Sequence, residues 1–191
     1  MAAASLIFIT GGVRSGKSSF AERMAVELAV KNDGSQLTYL ATGVASDQEM
    51  RERIAKHQSD RMHGKFRWRT VEQSQNIGEI AGLFNKEDII LIDCVTTLLN
   101  NELFSSNQNW DDSLLSHVTE TIMSGINAIR ERAKVLIVVS NEVFYESIAE
   151  NELVFSYAQI LGRIHQQIVK KCDHAFLVEA GIPINMKGVR E

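Results

Sequence analysis

The chain has 191 residues, 45% of them hydrophobic and 23% charged, with a formal net charge of -4. That is the length of one domain and the composition of a soluble globular protein, and the slight acidity argues against a general nucleic-acid binder. No apolar run reaches the ~20 residues of a membrane span, Met1-Ala2-Ala3-Ala4 lacks the basic opening of a secretory signal, and Cys94 and Cys172 are too few for a disulfide scaffold, so a cytoplasmic, reducing location is expected.

Short apolar runs alternate with longer amphipathic ones. Leu6 to Ile9 reads as a buried strand that runs into Gly11-Gly12. A helix follows, with Phe20, Met24 and Leu28 at spacing four. Leu37 to Ala41 is a second strand. Ser46-Asp47-Gln48-Glu49 fits a capping box that opens a helix to about Arg61. Phe66 to Val71 alternates as a short strand would, and Ile77 to Phe84 is a short helix. Ile89 to Ile92 is continuously apolar, as strands buried on both faces are. Asn100-Asn101 and Ser105 to Asn109 read as a polar surface loop. Trp110, Leu114, Val118, Ile122, Ile126 and Ile129 predict a helix over Trp110 to Arg132. Val135 to Val139 is a strand, Glu150 to Lys171 a long helix, Ala175 to Val178 a strand, and Ile182 to Met186 one more. Strands alternating with helices predict a single α/β domain over residues 1–191, with a mainly parallel sheet and right-handed crossovers.

The strongest motif is Gly11-Gly12-Val13-Arg14-Ser15-Gly16-Lys17-Ser18. It fits G-x-x-x-x-G-K-[ST] between a strand and a helix, the context a phosphate-binding loop requires. Its glycines let successive N–H groups turn inward onto phosphate oxygens, helped by the positive end of the helix. Lys17 reaches the β- and γ-phosphates, and Ser18 offers a hydroxyl oxygen to Mg2+. Asp93, a carboxylate at the end of the Ile89 to Ile92 run, is the expected second metal contact. Such a loop serves kinases, GTPases and motors alike, so it does not choose a reaction. Asn85-Lys86-Glu87-Asp88 has the letters of a guanine-reading motif, but it precedes the Asp93 strand and is read as chance. His63, His117 and His174 lack ligand spacing, so no zinc site is expected.

Met50, Ile54, His57 and Arg61 share one helical face. His57 either packs at the edge of the core or lines the nucleotide crevice beside Arg53, Lys56 and Arg61. In the second case its neutral imidazole is a nucleophile toward phosphorus. Spacing alone leaves both readings open.

The series continues over nearly the whole chain. After Thr10 to Ser18 come Tyr39-Leu40-Ala41-Thr42, Asp47 to His57 and Trp68-Arg69-Thr70-Val71-Glu72. Asp93-Cys94-Val95-Thr96-Thr97, Ser140-Asn141-Glu142-Val143, Gly162-Arg163 and Gly181-Ile182-Pro183 complete it. Together these resemble the adenosylcobinamide kinase/adenosylcobinamide-phosphate guanylyltransferase family. The resemblance implies a recombinase-like P-loop fold, a homotrimer, and two reactions. One phosphorylates adenosylcobinamide with ATP or GTP. The other transfers GMP from GTP to the resulting phosphate through a guanylylated histidine, here His57. It also implies nucleotide contacts at Gly11 to Ser18, Ala41, Thr42, Gly43, Gln58, Ser59, Asp60, Arg61, Glu72 and Asp93. The chain departs from the family's pattern after Val143, where Phe144 to Ala149 replaces a Gly-rich loop, and at His165, where an asparagine is usual. A P-loop kinase without guanylyl transfer and a non-catalytic nucleotide-binding regulator are the alternatives.

Overall fold

The computed structural model describes residues 4–43, 66–104, 110–142 and 152–188. Its strands are β1 (Ser5–Gly11), β2 (Gln36–Ala41), β3 (Trp68–Glu72), β4 (Asp88–Asp93), β5 (Val135–Asn141), β6 (His174–Glu179) and β7 (Ile182–Lys187). They form one sheet in the order β3-β2-β4-β5-β1-β6-β7. Every neighbouring pair is parallel except β6 and β7. The helices are α1 (Lys17–Lys31), α2 (Val95–Phe104), α3 (Asp112–Arg132) and α4 (Glu152–Lys171), with a 3-10 helix at Ile77–Leu83.

Successive strand side chains point to opposite faces, and here both faces are covered. Leu6, Phe8, Ile90, Ile92, Leu136 and Val138 pack under α2, α3, α4 and the 3-10 helix. Ile7, Ile9, Ile89, Leu91, Ile137 and Val139 pack under α1. This double burial is why the central strands read as unbroken apolar runs. The residues of α1 closest to the sheet are Ala21, Ala25 and Ala29, with Phe20, Met24 and Leu28 only partly buried at the sides. Small residues let that helix lie close above the strands, so the stripe of large residues in the sequence marks its flanks.

Two expectations change. Asn100 and Asn101 belong to α2 and not to a surface loop. Val95, Leu98, Leu99 and Leu103 give that helix its buried face, and the Asn101 amide donates to the carbonyls of Thr42 and Ser74. The helix expected from Trp110 begins two residues later. Asp111 caps it, accepting from the Leu114 N–H at 2.8 Å. Trp110 instead packs against Phe104, with ring centroids 5.1 Å apart. The predicted helix of Ser46 to Arg61 and the Ser105 to Asn109 segment lie outside the described residues.

The topology places a crevice. After β1 the chain crosses by α1 on one face of the sheet, and after the neighbouring β5 it crosses by α4 on the other. In open α/β sheets ligands bind at such a switch point, outside the carboxyl ends of the strands.

Candidate nucleotide site

The phosphate loop leaves the end of β1. Gly11 passes so close to β6 that a Cβ there would lie 2.3 Å from the Val178 carbonyl oxygen. Arg14 (φ 60) and Gly16 (φ 90) are left-handed, the kind of backbone that turns consecutive N–H groups into an anion-binding concavity. The loop is closed by Ser15 N–H donating to Gly12 O at 3.2 Å and anchored by Gly181 N–H donating to Ser15 O at 2.8 Å. Lys17 and Ser18 open α1 and are buried. The Lys17 ammonium donates to Gly12 O at 3.1 Å, folded onto the loop. Val13 and Arg14 are exposed at the tip.

Register brings the β5 end level with the root of this loop, while the ends of β4, β2 and β3 stop two residues short of it, level with Ile9. Gly11 pairs with Asn141, Asp93 with Val139, and Ala41 with both Asp93 and Glu72. At about 4.8 Å per strand, β4 and its Asp93 stand roughly 10 Å from β1, and β3 with Glu72 roughly 19 Å. Asp93 is half-buried, and its Oδ2 accepts the Tyr39 hydroxyl at 2.9 Å. Thr42 is fully buried. Its hydroxyl donates to Cys94 O and accepts Cys94 N–H, which braces β2 against β4. Burial pushes the Cys94 thiol up, with the Asp93 charge adding to it. Cys94 is thus a protonated packing residue whose sulfur lies 3.2 Å from the Thr97 hydroxyl.

The structure therefore brings Gly11, Gly12, Val13, Arg14, Ser15, Gly16, Lys17, Ser18 and Asp93 to one edge. Ala41, Thr42 and Gly43 end the next strand over, and Glu72 lies exposed at the sheet's outer strand. His57, Gln58, Ser59, Asp60 and Arg61 lie outside the described residues.

Sequence reasoning missed how the tip of β5 is held. Asn141 N–H donates to the Thr96 hydroxyl at 2.8 Å, and Thr96 and Ser140 hydroxyls are 3.0 Å apart. His165 Nε2 is 2.7 Å from the Ser140 hydroxyl. Tyr157, its hydroxyl kept protonated by burial, donates to Thr96 O at 3.1 Å. Burial lowers His165 to about 4, so the ring is neutral at pH 7. Beyond the tip, Glu142 N–H donates to Gly11 O at 3.0 Å. Thr96 also lines an open, mainly apolar cleft of about 310 Å³ with Asn100, Phe104, Trp110, Val154 and Tyr157. No described helix is long and apolar enough to cross a membrane.

Comparison with known proteins places this edge in context. The family described as cobinamide kinase / cobinamide phosphate guanyltransferase matches residues 7–186. The bifunctional adenosylcobalamin biosynthesis protein CobU of Escherichia coli (strain K12) is 33% identical over 95% of this chain and 99% of its own. CobP of Pseudomonas aeruginosa, described in the same words, is 33% identical over 94% of this chain and 96% of its own. Among solved structures, the flagellar accessory protein FlaH from Methanocaldococcus jannaschii superposes with a TM-score of 0.50 at 16% identity, covering 97% of this chain and 79% of that one, a likeness of fold alone. The phosphate loop, the carboxylate on the same sheet edge and the match over residues 7–186 together carry the conclusion that the chain belongs to the cobinamide kinase/cobinamide phosphate guanyltransferase family.

Proposed function

We propose that the chain is a bifunctional transferase working at one nucleotide site. In the first reaction a hydroxyl of adenosylcobinamide takes the γ-phosphoryl group of ATP or GTP. In the second His57 attacks the α-phosphorus of GTP and pyrophosphate leaves. Adenosylcobinamide phosphate then displaces His57 and keeps the GMP.

The observation that carries this reading is the loop Gly11 to Ser18 at the β1 end, on the same sheet edge as Asp93, in a chain matched to the family over residues 7–186. Phosphoryl transfer asks mainly for positioning and charge stabilisation. The loop's N–H groups hold the β- and γ-phosphates, and Lys17 moves from Gly12 O to the phosphate oxygens. Ser18 and Asp93 supply a hydroxyl and a carboxylate oxygen, which suits a hard cation such as Mg2+. That ion supplies neutralisation of the charge on the transferring phosphate. Ala41, Thr42, Gly43, Glu72 and Gln58 to Arg61 complete the proposed nucleotide contacts, with Thr42 acting through the brace it gives Cys94. A homotrimer in the cytoplasm belongs to the same proposal, and sedimentation of the purified chain checks the trimer.

The test uses GTP labelled on its α-phosphate. The chain acquires acid-labile, base-stable label, and His57→Ala loses it. An unlabelled parent chain contradicts the transferase reading, leaving a kinase or a binding protein, which phosphorylation of adenosylcobinamide separates. Label that survives His57→Ala contradicts only the assignment of that residue.

A further inference from the structure

We propose that Glu142 is the catalytic base of the phosphorylation step, taking the proton of the acceptor hydroxyl as that oxygen attacks the γ-phosphorus. The inference rests on the two-reaction reading above and assigns one residue within it.

The two reactions differ in their need for a base. The acceptor hydroxyl is neutral and must lose its proton as the O–P bond forms. The histidine that attacks GTP is a neutral imidazole with a lone pair, and the phosphate that displaces it is already ionised. Neither of those nucleophiles needs a base. A general base therefore speeds one half of the chemistry only.

Among the described residues, four carboxylates end or directly follow a parallel strand at the carboxyl edge: Glu72, Asp93, Glu142 and Glu179. Glu72 ends β3, roughly 19 Å from β1. Asp93 is held by the Tyr39 hydroxyl and fits the cation. Glu179 is exposed on β6, on the side of β1 away from Asp93. Glu142 follows β5, the strand between the phosphate loop and Asp93, at the topological switch point. Its amide is tied to Gly11 O at the root of the loop. The residue before it is tied to Thr96, which lines the apolar cleft. An acceptor lying in that cleft presents its hydroxyl to the crevice beside Glu142.

The environment suits a proton acceptor. Glu142 is half-buried, and burial raises its carboxyl, with the charge of Glu179 adding to the rise. The step balances: the acceptor oxygen bonds to the γ-phosphorus as the bond to the β-phosphate oxygen breaks. The proton passes to a Glu142 carboxylate oxygen, and Glu142 gives it to solvent after the nucleoside diphosphate leaves.

The experiment measures both half-reactions of Glu142→Gln, Glu142→Asp and the parent. One half is adenosylcobinamide phosphorylation by ATP, and the other is protein labelling by α-labelled GTP. Glu142→Gln is expected to lower the phosphorylation kcat by ~10²- to 10⁴-fold and to keep labelling within about threefold. Glu142→Asp is expected to recover part of the loss. Retained labelling shows that the variant folds and binds nucleotide. Phosphorylation within about threefold of the parent overturns the inference, and so does parallel loss of both reactions. A parent chain that phosphorylates nothing overturns the two-reaction reading itself, and with it this assignment.

Discussion

The root of the phosphate loop and the tip of β5 lie side by side, joined by the Glu142 N–H to Gly11 O bond, yet they are built in different ways. The loop is made of backbone. Glycines and left-handed residues curl it, and its closing bonds are amide to carbonyl within the loop or to Gly181. The β5 tip is held by side chains from two helices and its own strand: Thr96 from α2, Tyr157 and His165 from α4, and Ser140. The first construction presents a concavity of backbone N–H groups, suited to phosphate in general. The second ties one strand end, with Glu142 just beyond it, to Thr96 on the wall of one cleft.

That difference can be broken at either end. The largest effect is expected at the loop. Gly11→Ala puts a Cβ 2.3 Å from a backbone oxygen of β6, and neither strand can yield without losing sheet bonds. A loss of ~3 kcal/mol or more in urea unfolding, with both reactions abolished, is expected. A loss under ~1 kcal/mol contradicts the close approach.

At the β5 tip, Thr96→Val keeps the shape but leaves the Asn141 N–H without its acceptor. The expected cost is about 1–3 kcal/mol. Phosphorylation of adenosylcobinamide should fall more than labelling by GTP, because the loop keeps its own bonds. Equal loss in the two assays contradicts the division of labour.

The smallest effect concerns acid. His165 has its value lowered from 6.5 to about 4 in the fold. Between those values the unfolded chain binds the extra proton, so the stability present above about pH 6.5 is lost as pH falls toward 4. The loss from this residue between pH 7 and pH 5 is about 2 kcal/mol. His165→Gln, whose amide reaches as far as Nε2 and can still bond Ser140, should shrink the drop by about that amount. An unchanged drop contradicts the buried neutral imidazole.

The same contrast explains what can be read from the sequence. The loop is legible because its residues are contiguous and its flanks are a strand and a helix. Asp93 is legible because an apolar run ends there. The β5 tip is not, because Thr96, Ser140, Tyr157 and His165 come from separated stretches, and only the fold makes them neighbours. The departure at His165 is visible as a letter without its partner. Helix α2 is hidden by Asn100-Asn101, which look like a loop, although Val95, Leu98, Leu99 and Leu103 carry the helical spacing. The amide of Asn101 is spent on two carbonyls, so a polar pair in a helix marks a tie to its neighbours. Glu142 lies in the Ser140-Asn141-Glu142-Val143 segment that carries the resemblance, but only the strand order, with β5 between β1 and β4, sets it apart from Glu72.

Whether one phosphate loop serves both reactions is decided by Lys17→Ala. Lys17 is buried at the start of α1 with its ammonium on the loop. Both half-reactions are measured on one preparation whose melting temperature matches the parent's. Adenosylcobinamide phosphorylation and labelling by α-labelled GTP are both expected to fall by ~10³-fold or more. Labelling at the parental rate with phosphorylation lost contradicts a shared loop, because guanylyl transfer would then use a different nucleotide site.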